Sequence, residues 1–393
     1  GRKDLATGLL ESAPGDTAKH IAMIRACTSK GNLEEAMKTF QALEASGAEL
    51  TNSLWNTALD ACVECRDLRR AENLMQRMEA SKVTDAVSYN TLIKAHLRQE
   101  HYDRARALMD EMRAAGTPPN HVTYNELVNA LTRSERDNRR GQVWDVVDEM
   151  KRNGVAPNRI TCSILLKSLK AKSPQADIVR TLELTDSTEE PMDEVLLSSV
   201  VEACVRVGRP GLLAERLKQL EGQNTVAITG AHTFGSLIKA YGYAKDIGGA
   251  WRCWKEMRSQ HVRPTSITIG CMVEAVVTNG DVDGGYELIA SLLQDPHCRD
   301  QVNAVVFGSV LKGYGRSRNM ERLFAVFEEM LERGIEPSVV TYNAVIDACA
   351  RSGQMDRVPD LLDGMRKRRL TPNLITYSTM IKGFAQKGDM TAA

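Results

Sequence analysis

Aromatic residues make up only 5% of this 393-residue chain, and its charges cancel, 51 Lys and Arg against 51 Asp and Glu. Without net charge there is no global attraction to nucleic acid or to a membrane surface, so any such argument must be local. No apolar run approaches the roughly 18–20 residues of a membrane span. The nine cysteines are odd in number and scattered, which argues against a disulfide framework and for a reducing compartment. Cys62 and Cys65 form a C-x-x-C, but no second pair stands at zinc-site spacing. Stretch 279–285, NGDVDGG, begins like a calcium loop, yet its twelfth position is Ala290; it is read as a turn. There is no phosphate-binding glycine loop and no G-x-S-x-G nucleophile motif. No catalytic residue, metal or cofactor is expected.

What the chain has is a period. Six methionines, Met78, Met112, Met150, Met257, Met330 and Met365, precede breaks such as Pro118–Asn120, Ala156–Asn158 and Thr371–Asn373. Aligned on these, units start at Thr17, Asn52, Ala86, His121, Arg159, Glu194, Ala231, Ser266, Ala304, Val339 and Leu374, spaced by 34 to 38 residues. Residues 17–393 thus read as ten full repeats and a truncated eleventh, with 1–16 as an N-terminal extension or cap.

Each unit predicts two helices. In the Val339 unit, Val345, Ile346, Cys349 and Ala350 share one helical face, Gly353 breaks the helix, and Val358, Leu361, Leu362 and Met365 stripe a second. Pro372 closes the unit. One such pair cannot bury its stripes alone, whereas stacked pairs can; the expected fold is all-α, an α-solenoid. Cysteine recurs at the eleventh position, as Cys27, Cys62, Cys204 and Cys349, which suggests small buried core residues.

Trp and Leu-Gly at tetratricopeptide offsets are absent. Instead Val87–His96 (VSYNTLIKAH), Val122–Leu131 (VTYNELVNAL), Val340–Cys349 (VTYNAVIDAC) and Ile375–Phe384 (ITYSTMIKGF), each followed by the turn, Met and break pattern, resemble the pentatricopeptide repeat family, P-class, over essentially all of residues 17–393. The resemblance implies a right-handed solenoid that binds single-stranded RNA, with one base read by two or three side chains per repeat. It further implies an organellar setting, mitochondrion or chloroplast, with the presequence outside this chain.

The resemblance assigns three positions per unit. The second residue packs on a base: Val87, Val122, Ile160, Val195, Ile267, Val305, Val340 and Ile375. Such packing grips any base, since every base has a flat face. The fifth and last residues read its edge: Asn56 with Asp85, Asn90 with Asn120, Asn125 with Asn158, Ser163 with Asp193, and Asn343 with Asn373, together with Ser198 and Ser378. An Asn amide offers a donor and an acceptor, and a Ser hydroxyl either. The competing assignment is that Asn and Ser near a helix start are merely caps; recurrence in register with Asp or Asn at the unit's end favours readers. The family's pairing rules then suggest 5′-UCCG, a gap of about four, and C. Ile21 is unlike a reader, and Gly235, Gly270 and Gly308 have no side chain to read with.

The ninth and thirteenth residues share the helix face of the fifth. They include Arg25, Lys94, Arg98, Arg133, Lys167, Arg206, Lys239, Lys312, Arg316, Arg351 and Lys382, eleven basic residues against five acidic ones. A basic track beside base readers is the footprint of a phosphate backbone. The partner expected is single-stranded RNA, with neither membrane nor small-molecule substrate. The seven histidines show no H-x-E, so the zinc deaminase domain of some family members is not expected. The alternative is a non-catalytic solenoid scaffold, a protein-binding subunit of an organellar assembly such as a ribosome.

Overall fold

The computed structural model describes residues 17–47, 50–134, 141–188, 190–223 and 227–387; the proposed extension at 1–16 lies outside them. Among the described residues there are 21 α-helices and no strand. They run α1 (Thr17–Thr28), α2 (Leu33–Ala45), α3 (Asn52–Glu64), α4 (Leu68–Ala80), α5 (Ala86–Arg98), α6 (Tyr102–Ala114), α7 (His121–Arg133), α8 (Val143–Arg152), α9 (Arg159–Ser168) and α10 (Gln175–Asp186). There follow α11 (Glu194–Val207), α12 (Pro210–Gln223), α13 (Ala231–Tyr243), α14 (Ile247–Ser259), α15 (Ser266–Thr278) and α16 (Val282–Gln294). The last are α17 (Ala304–Arg316), α18 (Met320–Glu332), α19 (Val339–Ser352), α20 (Val358–Lys367) and α21 (Leu374–Lys387). Odd-numbered helices open the units and even-numbered helices close them.

The helices form two compact units, α1–α9 with most of α10, and α11–α21. Within each, successive odd helices pack on one another, and the even helices other than α10 pack on the odd helix before them. This is solenoid packing, in which every pair buries the stripe its neighbour cannot. The recurring methionines Met78, Met112, Met150, Met257, Met330 and Met365 are all 0% exposed, each contributing about 1.5–3 kcal/mol of apolar burial. The eleventh-position cysteines Cys27, Cys62, Cys204 and Cys349 are buried in the same core. Burial raises the thiols of Cys62 to about 12 and of Cys204 and Cys349 to about 11, as expected when the charged form is desolvated. The tyrosine of the repeated T-Y-N is core as well: Tyr89, Tyr124 and Tyr342 are buried.

Helix termini follow their cap chemistry. Asp85, Asn120, Asp193, Thr265, Asn303 and Ser338 each cap the following odd helix by accepting its backbone N–H groups. Asp281 caps α16 in the same way, so NGDVDGG is turn and cap. The break after α19 uses Gly353 at φ 71. The equivalent left-handed position belongs to Arg66, Glu100, Lys245 and Arg318 in other units, at φ 58–60. The turn therefore requires the conformation more than it requires glycine. Elsewhere glycine is needed for space. A Cβ on Gly242 of α13 would lie 2.6 Å from that of Ala275 in α15, so the two backbones approach closely there.

Candidate nucleic-acid interface

The second residues come first, because their environment is unusual. Among the described residues thirteen large apolar side chains are exposed, and eight of them are Val87, Val122, Ile160, Val195, Ile267, Val305, Val340 and Ile375, from 54% (Val122) to 74% (Val305). Scattered single apolar residues on a surface need no explanation. Within each compact unit, one recurring at the same position of odd helices forms a row, which makes it a candidate binding surface.

The fifth residues lie beside the last residues across 29 to 33 positions of chain. Asn56 Nδ2 donates to both carboxylate oxygens of Asp85, at 3.2 and 3.0 Å. Asn90 Nδ2 donates to Asn120 Oδ1 at 3.4 Å, Asn125 Nδ2 to Asn158 Oδ1 at 3.3 Å, and Asn343 Nδ2 to Asn373 Oδ1 at 3.3 Å. The cap role falls on the last residue of each pair. Asn120 Oδ1 accepts from the amides of Val122 and Thr123, Asn158 Oδ1 from that of Thr161 and Asn373 Oδ1 from that of Thr376. The fifth residues sit beyond the first helical turn and cap nothing.

A third participant escaped the sequence reading. The third residue of the next unit donates its hydroxyl to the carbonyl of the fifth: Thr123 to Asn90 at 2.6 Å, Thr161 to Asn125 at 2.6 Å, and Thr376 to Asn343 at 2.7 Å. These threonines recur in the sequence, which was the available signal. The bond orients each Asn amide, with its carbonyl toward the threonine and its Nδ2 toward the last residue of the unit. Asn56 differs. The next unit has Ser88, whose hydroxyl donates to the carbonyl of Asp85, and Asn56 Oδ1 is buried without a hydrogen-bond partner among the described residues.

The remaining predicted readers are less uniform. Ser163 and Asp193 fall in different compact units, Ser163 half-buried and Asp193 capping α11. Ser198 is buried and donates to Glu202 and Ser236, while Ser378 is exposed. At Gly230, the last residue of the Ser198 unit, Glu194 accepts from the backbone amides of Thr229 and Gly230 at 3.2 and 2.8 Å. Gly235, Gly270 and Gly308 are not forced by packing: a Cβ at Gly270 or Gly308 meets nothing within 4 Å, and one at Gly235 makes ordinary contact with Thr268 at 3.5 Å.

Arg98, Arg133, Lys167, Arg206, Lys239, Lys312, Arg316, Arg351 and Lys382 are exposed, and Lys94 is half-buried. The track is partly neutralised by its own neighbours. Lys94 pairs with Glu126 at 3.2 Å, Arg98 with Glu64 at 3.3 Å, and Arg351 with Asp347 at 2.8 Å. Glu126 stands at a sixth position, outside the ninth and thirteenth, so its effect was invisible to a count along one stripe. Exposed pairs such as Arg98–Glu64 and Arg351–Asp347 are worth about 0–1 kcal/mol. In the Val339 unit the parts converge: Val340, Asn343, Asn373 and Ile375 line one cavity of about 400 Å³, rimmed by Lys312, Arg316 and Arg351.

Comparison with known proteins bears on the family and the fold. A model described as the PPR repeat family matches residues 84–133, 302–351 and 337–386, a pentatricopeptide repeat domain model matches 131–171, and a PPR repeat model matches 21–47, 53–83 and 232–262. A chloroplastic pentatricopeptide repeat-containing protein of Arabidopsis thaliana is 24% identical over 273 residues, covering 70% of this chain and 25% of the relative. A mitochondrial one from the same plant is 20% identical over 336 residues, covering 83% and 40%. The chain thus spans a quarter to two fifths of the length of these curated relatives. The crystal structure of the pentatricopeptide repeat protein PPR10 in complex with an 18-nucleotide psaJ RNA element superposes with a TM-score of 0.58 at 18% identity, over 99% of this chain and 70% of that one. Repeat period, helix-pair packing and family matches over most of the described units agree: the chain belongs to the pentatricopeptide repeat family.

Proposed function

We propose that this chain binds single-stranded RNA sequence-selectively, one base per repeat, and acts without catalysis in organellar RNA stability, processing or translation. The observation that carries the reading is the exposed apolar row with an amide–amide or amide–carboxylate pair beside it in successive units. A base seated on Val122 or Val340 gains apolar contact whatever its identity, and the pair beside it discriminates.

The hydrogen-bond network supports a direction. At Asn90/Asn120, Asn125/Asn158 and Asn343/Asn373 the carbonyl oxygens are already engaged, so the pair offers amide N–H donors. Donors complement the N3 and O2 acceptors of cytosine. At Asn56/Asp85 a carboxylate stands beside an amide, the complement of uracil's N3–H next to a carbonyl. This supports 5′-UCC at the start of the tract and C opposite the Val339 unit. Binding alone suffices for function: a bound tract is shielded from exonucleases or held out of a hairpin. The matched relatives named chloroplastic and mitochondrial support an organellar location.

Selection from randomised RNA tests the reading. Enrichment of this motif is expected, with affinity falling as salt rises. Pools with no enriched motif and salt-independent binding would sink it. Asn90→Ala with Asn125→Ala weakens binding to the cytosine-bearing tract only, whereas Arg133→Glu weakens binding to every sequence.

One finding favours a second reading, a scaffold subunit. A small ribosomal subunit protein of Arabidopsis thaliana is 20% identical over 278 residues, covering 70% of this chain and 66% of that protein. A stoichiometric protein partner that survives nuclease treatment would favour it.

A further inference from the structure

The Gly235 slot is a larger version of the Val339 slot. Its second residue is His232, its fifth Gly235, its last Thr265, and the next unit's second residue is Ile267; all four line one cavity of about 650 Å³. The corresponding four positions of the Val339 unit line about 400 Å³. The extra room is not an accident of crowding elsewhere, since a Cβ at Gly235 would fit.

The charged groups in the two cavities are exchanged. In the Val339 slot the preceding unit contributes Lys312 from its ninth position, and the unit itself contributes Asp347. In the Gly235 slot the preceding unit contributes Glu202, and the unit itself Lys239. Glu202 is positioned: its Oε1 accepts from Ser236 Oγ at 2.9 Å and from Ser198 Oγ at 3.4 Å. Both serines are buried. His232 Nε2 lies 3.8 Å from the same oxygen. Oε2 carries none of these bonds.

We infer that Glu202 takes over the reading role that Gly235 has vacated, and that the slot selects guanine. The inference rests on the RNA-binding reading above. A carboxylate accepts, so it favours a base edge that donates. Only guanine places two adjacent donors, N1–H and the N2 amino group, on its Watson–Crick edge, and Oε2, which carries none of the serine bonds, has lone pairs to accept from both. Uracil sets carbonyls on both sides of its single N–H, and adenine and cytosine put a ring acceptor beside their amino groups. The added volume suits a purine where the Asn343 slot suits a pyrimidine. Ile267, 70% exposed, supplies the grip, with Arg206 and Lys239 at the rim. In the tract 5′-UCCGNNNNC this is the sixth nucleotide.

Parallel selections from randomised RNA with the full chain and with Glu202→Gln test this independently of register. The expected result is a guanine column three places before the final cytosine. Glu202→Gln flattens it and leaves the cytosine columns intact. On fixed RNAs, guanine at that site binds about tenfold better than adenine, within the range of a good bidentate base contact, and Glu202→Gln removes the difference. Gly235→Asn, whose Cβ makes only ordinary contact with Thr268 at 3.5 Å, removes it as well. A flat column in the wild-type pool, or a guanine column unchanged in Glu202→Gln, overturns the inference while the cytosine columns uphold RNA reading. A pool with no enriched column at all overturns both.

Discussion

Replacing Thr161 by Val isolates the least visible part of the proposed base-reading device. The two side chains are nearly isosteric, so no cavity forms, but the hydroxyl is lost. That hydroxyl donates to Asn125 Oδ1 at 2.6 Å; Thr161 is 0% and Asn125 6% exposed. Water cannot readily replace the donor, so Asn125 is left with an unpaired buried carbonyl at a cost of about 1–3 kcal/mol. The Asn158 amide also loses its acceptor, at 3.2 Å. Because a solenoid does not unfold as one unit, the assay is hydrogen exchange of the α7 and α9 amides, which accelerates about 5- to 150-fold if opening is local. The same change at Thr123 or Thr376 costs less, since those bonds are only partly buried. Asn125→Leu with Thr161→Val removes both polar partners and is less destabilised than the sum of the singles, with a coupling of about 1 kcal/mol or more. Unchanged exchange in Thr161→Val, or strict additivity in the double variant, would refute the reasoning.

Three further expectations follow from the same geometry. Val340→Ser leaves unfolding within about 0.5 kcal/mol of wild type, because the side chain is 63% exposed; it weakens RNA binding by about 1 kcal/mol, roughly fivefold, in a titration. His96 is buried, and burial is the main cause holding its imidazole below the ordinary value, with Arg104 and His101 acting in the same direction against Glu72. Its folded state disfavours the proton, so stability is complete above the unfolded value of about 6.5 and declines as pH falls through it. Thermal unfolding scanned from pH 7.5 to 5 should show that decline, flattened in His96→Leu. At pH 8 a thiol reagent should label half-buried Cys65 well before Cys62, Cys204, Cys253 and Cys349, whose thiols burial holds at about 11–12. Denaturant should equalise all nine.

The parts of the site that were legible in advance are the positions that the family resemblance assigns within each period. Second residues such as Val87 and Val340 are exposed because they stand on the helix face opposite the core, and a period of about 35 repeats that face in every unit. Fifth and last residues meet because the last residue of one unit caps the next odd helix, beside the preceding one. What escaped depends on packing between units. The Thr161 hydroxyl reaches Asn125 across 36 positions, and Glu126 reaches Lys94 from a face the ninth-and-thirteenth count did not include. The left-handed turns at Arg66, Glu100 and Arg318 were hidden for another reason: helix C-termini impose the conformation even where no glycine advertises it. The glycine at position 235 was legible as a lost reader. That Glu202 lines the same cavity as Gly235 was visible only in the structure.

Equilibrium binding of an unstructured RNA containing 5′-UCCGNNNNC, against the same nucleotides shuffled, tests the central claim most directly. Each mismatched base costs about 1–3 kcal/mol in selective nucleic-acid recognition, so the tract should bind at least about 100-fold more tightly at about 0.15 M salt. Equal affinities for the two RNAs, falling together as salt rises, would mean that the amide pairs read nothing and the basic track does all the binding.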